Sequence, residues 1–379
     1  MYVNGPLVRN KLQLARLNFV TSVLLILLLP FYPAIKLPYI SLYLVFCFIG
    51  LLIYGPFLHS RLLLLVSAIG YSFLVSLLSM STESLSSAVS WILLVWFLNY
   101  FILASRPIAL FQVIIAICIL YTIDSIIQFV RGVDLIGNPL VHGGRASGPF
   151  IWHSPVIGGF LMVLFFLPEY LRNNFFKYTI YGLFLITIIL AGTRGALLQV
   201  LFCFFVVKFK FRYKVISIIV MFLTLPLVAS LASYFEGVDA ITRVLNLADL
   251  SGSIAYESRE SGRIAFWKDY LLIAVADNII FGAGLGSLEA YLLDLTNHYI
   301  HPHHLYLEIL LTFGIVGSIP IVLFLYNLYG RCNENSKLLF WSFWGPFNAL
   351  HSVFDFYWAF MMFLSLGLTI YSSRLERKL

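Results

Sequence analysis

A few arginines and one run of histidines carry the chemistry this sequence offers. Arg194 lies in ILAGTRGALLQVLF, where one apolar stretch closes and the next begins, with no carboxylate nearby in sequence. A guanidinium near hydrocarbon costs about 2.5–3.5 kcal/mol at a helix centre and less toward the interface. Two readings are open: the side chain snorkels to the headgroups, or its planar five-donor fork clamps a phosphate. Gly192 and Gly195 flank it and would let a bulky anion approach the backbone. Arg263, in SGRIAFW, is either a similar clamp or a helix-surface cation paired with Glu260 or another carboxylate. Arg145, in GGRASG, fits an anion contact or a simple turn, and Arg259 is a further cation near Arg263.

The densest string is His301-Pro-His303-His304-Leu-Tyr306-Leu-Glu308, running into ILLTFGIVG. Neutral imidazole is a natural general base near pH 7. Helix packing with interfacial anchoring is the alternative, and metal binding a third. The i, i+2, i+3 spacing does not place all three histidines on one helical face, and no Cys or Glu-x-x-His pattern supports zinc, so neither a metal nor another cofactor is expected. His351 and Asp355, four apart in HSVFD, could pair with each other or orient a base. Gly282, Gly284 and Gly286 in GAGLGS follow nothing strand-like, which favours a turn over a nucleotide loop.

The elements that position these residues are membrane helices. Of 379 residues 61% are hydrophobic and 11% charged, whereas a soluble domain keeps roughly a quarter of its residues charged. Stretches such as 20–29, 42–53 and 114–123 are apolar on every side, and the alternation of an outer-membrane barrel strand is absent. Hydropathy predicts about twelve transmembrane helices, at 17–34, 39–57, 62–80, 85–104, 107–130, 155–171, 178–193, 195–207, 214–233, 304–328, 338–354 and 356–371. With the N-terminus inside, 16 of the 24 Lys and Arg residues face the cytoplasm, which puts both termini there. The other eight include Arg145, Arg194, Arg259 and Arg263, and seven of eight histidines share their side. A bound anion is the simplest reason for that asymmetry.

The first segment has the basic start of a signal peptide, but no small-residue cleavage site follows, so a retained helix is expected. The net charge of +7 reflects inward-facing anchors and needs no nucleic acid partner. Cys47, Cys118, Cys203 and Cys332 fall in predicted helices or a cytoplasmic loop, which argues against a disulfide framework. The chain reads as one integral membrane domain over 1–379, with a smaller outer loop at 131–154 and a large cap loop at 234–303. Within the cap, 263–276 has helical spacing, Ser261 could cap it, and an amphipathic helix along the membrane surface is expected.

Taken together, these motifs resemble the O-antigen ligase and polymerase superfamily of bacterial inner membranes, over roughly 131–355. Arg194-Gly-Ala-Leu197 fits the family's Arg-x-x-Leu element. SGRIAFW followed by GAGLG looks like its large periplasmic loop, and RASGPF like the segment before its sixth helix. His303-His304, nine further residues, then Gly314-x-x-Gly317 fit its His-(Asn/Ser/Gln)-x9-Gly-x-x-Gly pattern, with His304 departing at the second position.

The resemblance implies an all-α, GT-C-like polytopic glycosyltransferase of the bacterial inner membrane, its active site periplasmic, without a nucleotide sugar or metal. Its donor would be a glycan on undecaprenyl diphosphate. Its acceptor would be a sugar hydroxyl, on lipid A–core for a ligase or on a lipid-linked repeat unit for a polymerase, with inversion. His303 would act as base, Arg194 and Arg263 would hold the diphosphate, and Arg145, Arg259, His304, Tyr306, His351 and Asp355 would line the substrate site. The ligase reading is favoured because both ligase-type motifs fit in register. A transporter or flippase is the competing class, with Asp124 as its clearest intramembrane charge.

Overall fold

The computed structural model describes residues 6–31, 34–54, 60–78, 83–103, 107–141, 144–150, 154–208, 270–296, 304–346, 348 and 356–375. Among them there is no β-strand, only two isolated bridges, Val133 with Pro139 and Val141 with Arg145. The helices are α1 (Pro6–Leu28), α2 (Lys36–Tyr54), α3 (Leu63–Leu78), α4 (Glu83–Leu103), α5 (Pro107–Arg131), α6 (Ser154–Leu164), α7 (Asn174–Leu190), α8 (Arg194–Cys203), α9 (Leu271–Asn278), α10 (Leu288–Thr296), α11 (Leu305–Tyr329), α12 (Glu334–Trp344) and α13 (Phe356–Leu375). Among the described residues three stretches are long and apolar enough to cross a membrane by length and composition: Gln13–Phe31, Ile108–Arg131 and Leu305–Tyr329. The other apolar helices are shorter. The expected span at 214–233, the cap segment 234–269 and Ser261 lie outside the described residues.

α13 is the hub. Every residue from Trp358 to Ser373 is buried, as a helix apolar or small on all sides must be when neighbours surround it. Its Trp358–Tyr371 stretch packs in one core with α4, α5, α6 and α12. Small hydroxyls tie the inner helices through main-chain carbonyls: Ser342 donates to Val163 O at 2.9 Å. All four cysteines are free.

Arg374 Nη1 donates to Ile102 O at 3.0 Å, so α4 and α13 end at the same end of the bundle. Ala146 N–H donates to Leu190 O at 3.1 Å, joining the 131–150 loop to the end of α7 at the opposite end. α12 is shorter than the sequence predicts. It stops at Trp344 because Gly345 is extended and precedes Pro346, which disfavours the helical region for its predecessor.

α11 is not a straight span. Gly314 has φ 61° and ψ −176°, a conformation close to glycine-only, and the helix breaks there. The glycine-rich 279–287 segment is a turn, as its sequence suggests, and it fills this break. Ile315 and Val316 N–H donate to Ile279 O (2.8 Å) and Ile280 O (3.2 Å), while Ala283 and Gly284 N–H donate to Leu311 O (2.8 Å) and Thr312 O (2.9 Å). Both pieces of backbone satisfy each other's opened hydrogen bonds, the condition for irregular chain at membrane depth. α3 holds the turn from a third side: Tyr71 O–H donates to Phe281 O (3.2 Å) and Ser76 Oγ to Leu285 O (2.8 Å).

An added Cβ at Gly314 would collide with Ile280 O, whereas one at Gly70 on α3 meets nothing within 4 Å. Gly314→Ala is therefore expected to destabilise the protein by about 3 kcal/mol or more. In a detergent thermal melt its Tm should fall well below that of Gly70→Ala. Equal melting of the two would contradict the broken-helix geometry.

Candidate functional site

The site assembles at the bundle end that holds the 131–150 loop, the start of α8 and the start of α11. The loop is stapled by a buried amide on α5. Gln128 Oε1 accepts from Ser147 N–H (2.7 Å) and Gly148 N–H (2.9 Å), and its Nε2 donates to Asn138 O (3.2 Å) and Pro139 O (3.0 Å). One side chain thus spans both limbs. Asp134 closes the tip, accepting from Ile136 N–H, Asn138 N–H and Asn138 Nδ2 at 2.9, 2.7 and 2.7 Å. Asp124, which could have suggested an intramembrane charge of a transporter, accepts from Leu135 N–H at 2.8 Å and so anchors the same loop. Arg145 is half-buried, with its backbone fixed on one side by the Val141 bridge and on the other by the bond from Ala146 to Leu190.

Leu190 is also where Arg194 is set. α7 ends at Ala191, and Gly192, at φ 65°, reverses the chain so that α8 begins at Arg194. Thr193 bonds back to Ile188 O through its hydroxyl (3.1 Å), and the same side chain presses on Gly158 of α6, where a Cβ would collide with it. Arg145 and Arg194 therefore both spring from backbone held on the last turn of α7. As first residue of α8, Arg194 stands at the positive end of a helix, where free N–H groups and guanidinium together favour an anion.

α8 is tied to α12 by Gln199. Its Nε2 donates to Trp341 O, and Gly345 lies directly against it. The end of α12 in turn receives α11, because the hydroxyl of Tyr306 donates to Trp344 O. Gln199 is five residues beyond Arg194, about 7.5 Å along the helix. One contiguous set of contacts thus joins Arg194 to Tyr306 and His304.

His304 is the N-cap of α11, with φ −144° and ψ 114°, and its Nδ1 accepts from Leu307 N–H at 3.4 Å. Its ring lies 5.9 Å from that of Tyr306. The departure from the family pattern at this position now has a physical meaning. Asn and Ser are strong N-caps, and a neutral imidazole does the same work with a nitrogen lone pair. Burial pushes the His304 pKa below its ordinary value. An imidazolium there would also lose its acceptor and face the positive end of the helix dipole.

The structure thus brings Arg145, Arg194, His304 and Tyr306 to one end. Arg259, Arg263, His303, His351 and Asp355 lie outside the described residues. His303 directly precedes His304, and the segment bearing Arg259 and Arg263 leads through Tyr270 into α9, where Tyr270 and Leu271, like Leu307 of α11, pack against the core of Ala274, Leu288, Leu292 and Leu311. Among the described residues no cluster of three His, Cys, Asp or Glu side chains is placed to hold a metal. The sequence reading did not single out Gln128, Gln199 or Gly158, which position the arginines. Gln128 and Gln199 each carried a signal, a side-chain amide inside an apolar helix, which must find partners.

Replacing Gln128 by Leu would leave two buried loop N–H groups unpaired, at about 1–3 kcal/mol each. Gln128→Leu should lower Tm and impair any activity that needs Arg145, and an unchanged Tm would remove the staple from the account. His304 gives a pH signature. Its pKa is lower folded than unfolded, so the unfolded chain binds the proton more readily. The cap's contribution is full above the ordinary histidine pKa of about 6.5 and is lost as pH falls through the folded value. Between pH 7.5 and 5, wild type should lose about 1 kcal/mol relative to His304→Asn, read as Tm curves that separate as pH falls. Parallel curves would contradict this role.

Residues 179–322 match a family model described as O-Antigen ligase. No curated protein matches the chain. The matched stretch contains Arg194, the glycine turn, His304 and the Gly314 break, and its match supports the O-antigen ligase/polymerase superfamily.

Proposed function

We propose that this protein, with about twelve membrane spans, transfers a glycan from undecaprenyl diphosphate to a sugar hydroxyl on lipid A–core, at the periplasmic face of the inner membrane. The observation that carries the reading is the meeting of Arg145, Arg194 and the His304 helix start at one bundle end, inside or beside the matched stretch. The arginines grip the diphosphate, and their planar forks stabilise the charge that grows on the leaving oxygen. Arg263 joins them from the segment before α9.

The chemistry is a single displacement. The acceptor oxygen attacks the anomeric carbon as the bond from that carbon to the diphosphate oxygen breaks, with inversion. His303 takes the hydroxyl proton, and undecaprenyl diphosphate leaves with the electron pair. His304 keeps the helix start in place, and Tyr306 locks it to α12. The ligase reading stands ahead of the polymerase because both ligase-type motifs, Arg194-Gly-Ala-Leu197 and the pattern from His303 to Gly317, fit in register.

The test has a cellular and a purified arm. A deletion strain of a ligase accumulates long lipid-linked polymer, whereas loss of a polymerase leaves core bearing one repeat unit. Mass spectrometry of both glycan pools separates the two, and the second result would overturn the ligase assignment. In purified protein, Arg194→Ala and His303→Ala should each reduce transfer by about 100-fold or more without loss of membrane insertion. Arg194→Lys should also be poor, since an ammonium cannot reproduce the fork. Normal transfer by either alanine variant would remove that residue from the mechanism.

A further inference from the structure

Residues 271–296, before α11, do not stay above the bundle. α9 and α10 flank the turn that fills the α11 break, and Leu288, Leu292 and Ala274 form a small core with Leu311. Tyr270, Leu271, Tyr291 and Leu295 pack against that core together with Leu307, so both limbs lead back toward the start of α11. The turn between them is far from that end. Gly314 is nine residues into α11, about 13 Å at 1.5 Å per residue. Tyr71, which bonds Phe281 O, lies at the middle of α3.

We propose that α9, the turn and α10 form a re-entrant hairpin, and that its outer face lies against the hydrocarbon chains of the bilayer. On the tip, Phe281 is 63% exposed and Ile280 55%, and Ile273 on α9 is exposed as well. These side chains continue the exposed apolar surface of α3 (Leu74, Leu77) and of α11 (Ile315, Ile319). α11 is one of the stretches long and apolar enough to span. Its outward face at Ile315 and Ile319 meets lipid, and the adjoining tip at the same depth meets the same medium. Backbone in hydrocarbon needs internal partners, which the four bonds between 279–284 and 311–316 supply. Asp277 shares the α9 face, and its carboxylate accepts from the hydroxyl of Tyr291 on the returning limb at 2.7 Å.

The test uses full-length protein in sealed vesicles, with the four native cysteines replaced by alanine. Single cysteines are placed by Phe281→Cys, Ile280→Cys and, as an aqueous reference in the 131–150 loop, Leu135→Cys, whose native leucine is 65% exposed. A membrane-impermeant maleimide should label Leu135→Cys from one side. It should label the two tip variants at least about tenfold more slowly from either side, because thiolate hardly forms in hydrocarbon. Labelling of both tip variants within about twofold of the reference would overturn the proposal. A nitroxide on the tip cysteine then identifies what covers it. Strong broadening by oxygen with little effect of a nickel chelate is expected for lipid. Shielding from both means that protein covers the tip and overturns the lipid contact. Ile280→Cys stands in if Phe281→Cys fails to accumulate.

Discussion

A backbone amide inside a bilayer has no water to bond with, and an unsatisfied one costs several kcal/mol. That constraint governs the broken helix α11. Opening it at Gly314 exposes donors at 315 and 316 and acceptors at 311 and 312, which are tolerable only because 279–284 returns the same number in complementary positions. The break and the turn therefore stand or fall together. Once locked, they carry the chain from α9 to α10 by a fixed route, and Tyr71 and Ser76 on α3 secure that route from the third side.

The same rule shapes the rest of the candidate site. Gln128 and Gln199 are buried amides in apolar helices, and each is bonded across to another element. One fixes the Arg145 loop, and the other joins the Arg194 helix to α12. The result is that guanidinium groups, costly near hydrocarbon, start from backbone that cannot drift. Arg194 also begins a helix, where a cation is disfavoured by the dipole unless an anion accompanies it.

Most of the helices could be read from hydropathy, since spans apolar on all sides need no finer signal. Their ends were less legible. The α12 stop depends on Gly345 before Pro346 and on the approach of Gln199, a long-range fact invisible in a window of residues. GAGLGS announced a turn through its glycines, but not that the turn would sit in a break of α11, because reciprocal bonding joins residues about thirty positions apart. Arg194 was legible as a charge in the wrong place. His304 was not legible as a cap, since imidazole is rarely thought of beside Asn and Ser, and only the bond to Leu307 N–H reveals the role.

The central claim is that this bundle end holds a lipid diphosphate. The most direct measurement is equilibrium binding of farnesyl diphosphate, farnesyl monophosphate and farnesol to the purified protein at fixed ionic strength. The account predicts that the diphosphate binds about tenfold or more tighter than the monophosphate, and that Arg194→Lys removes most of the difference. Equal affinity for all three, or a diphosphate preference untouched by the Arg194 substitution, would contradict it.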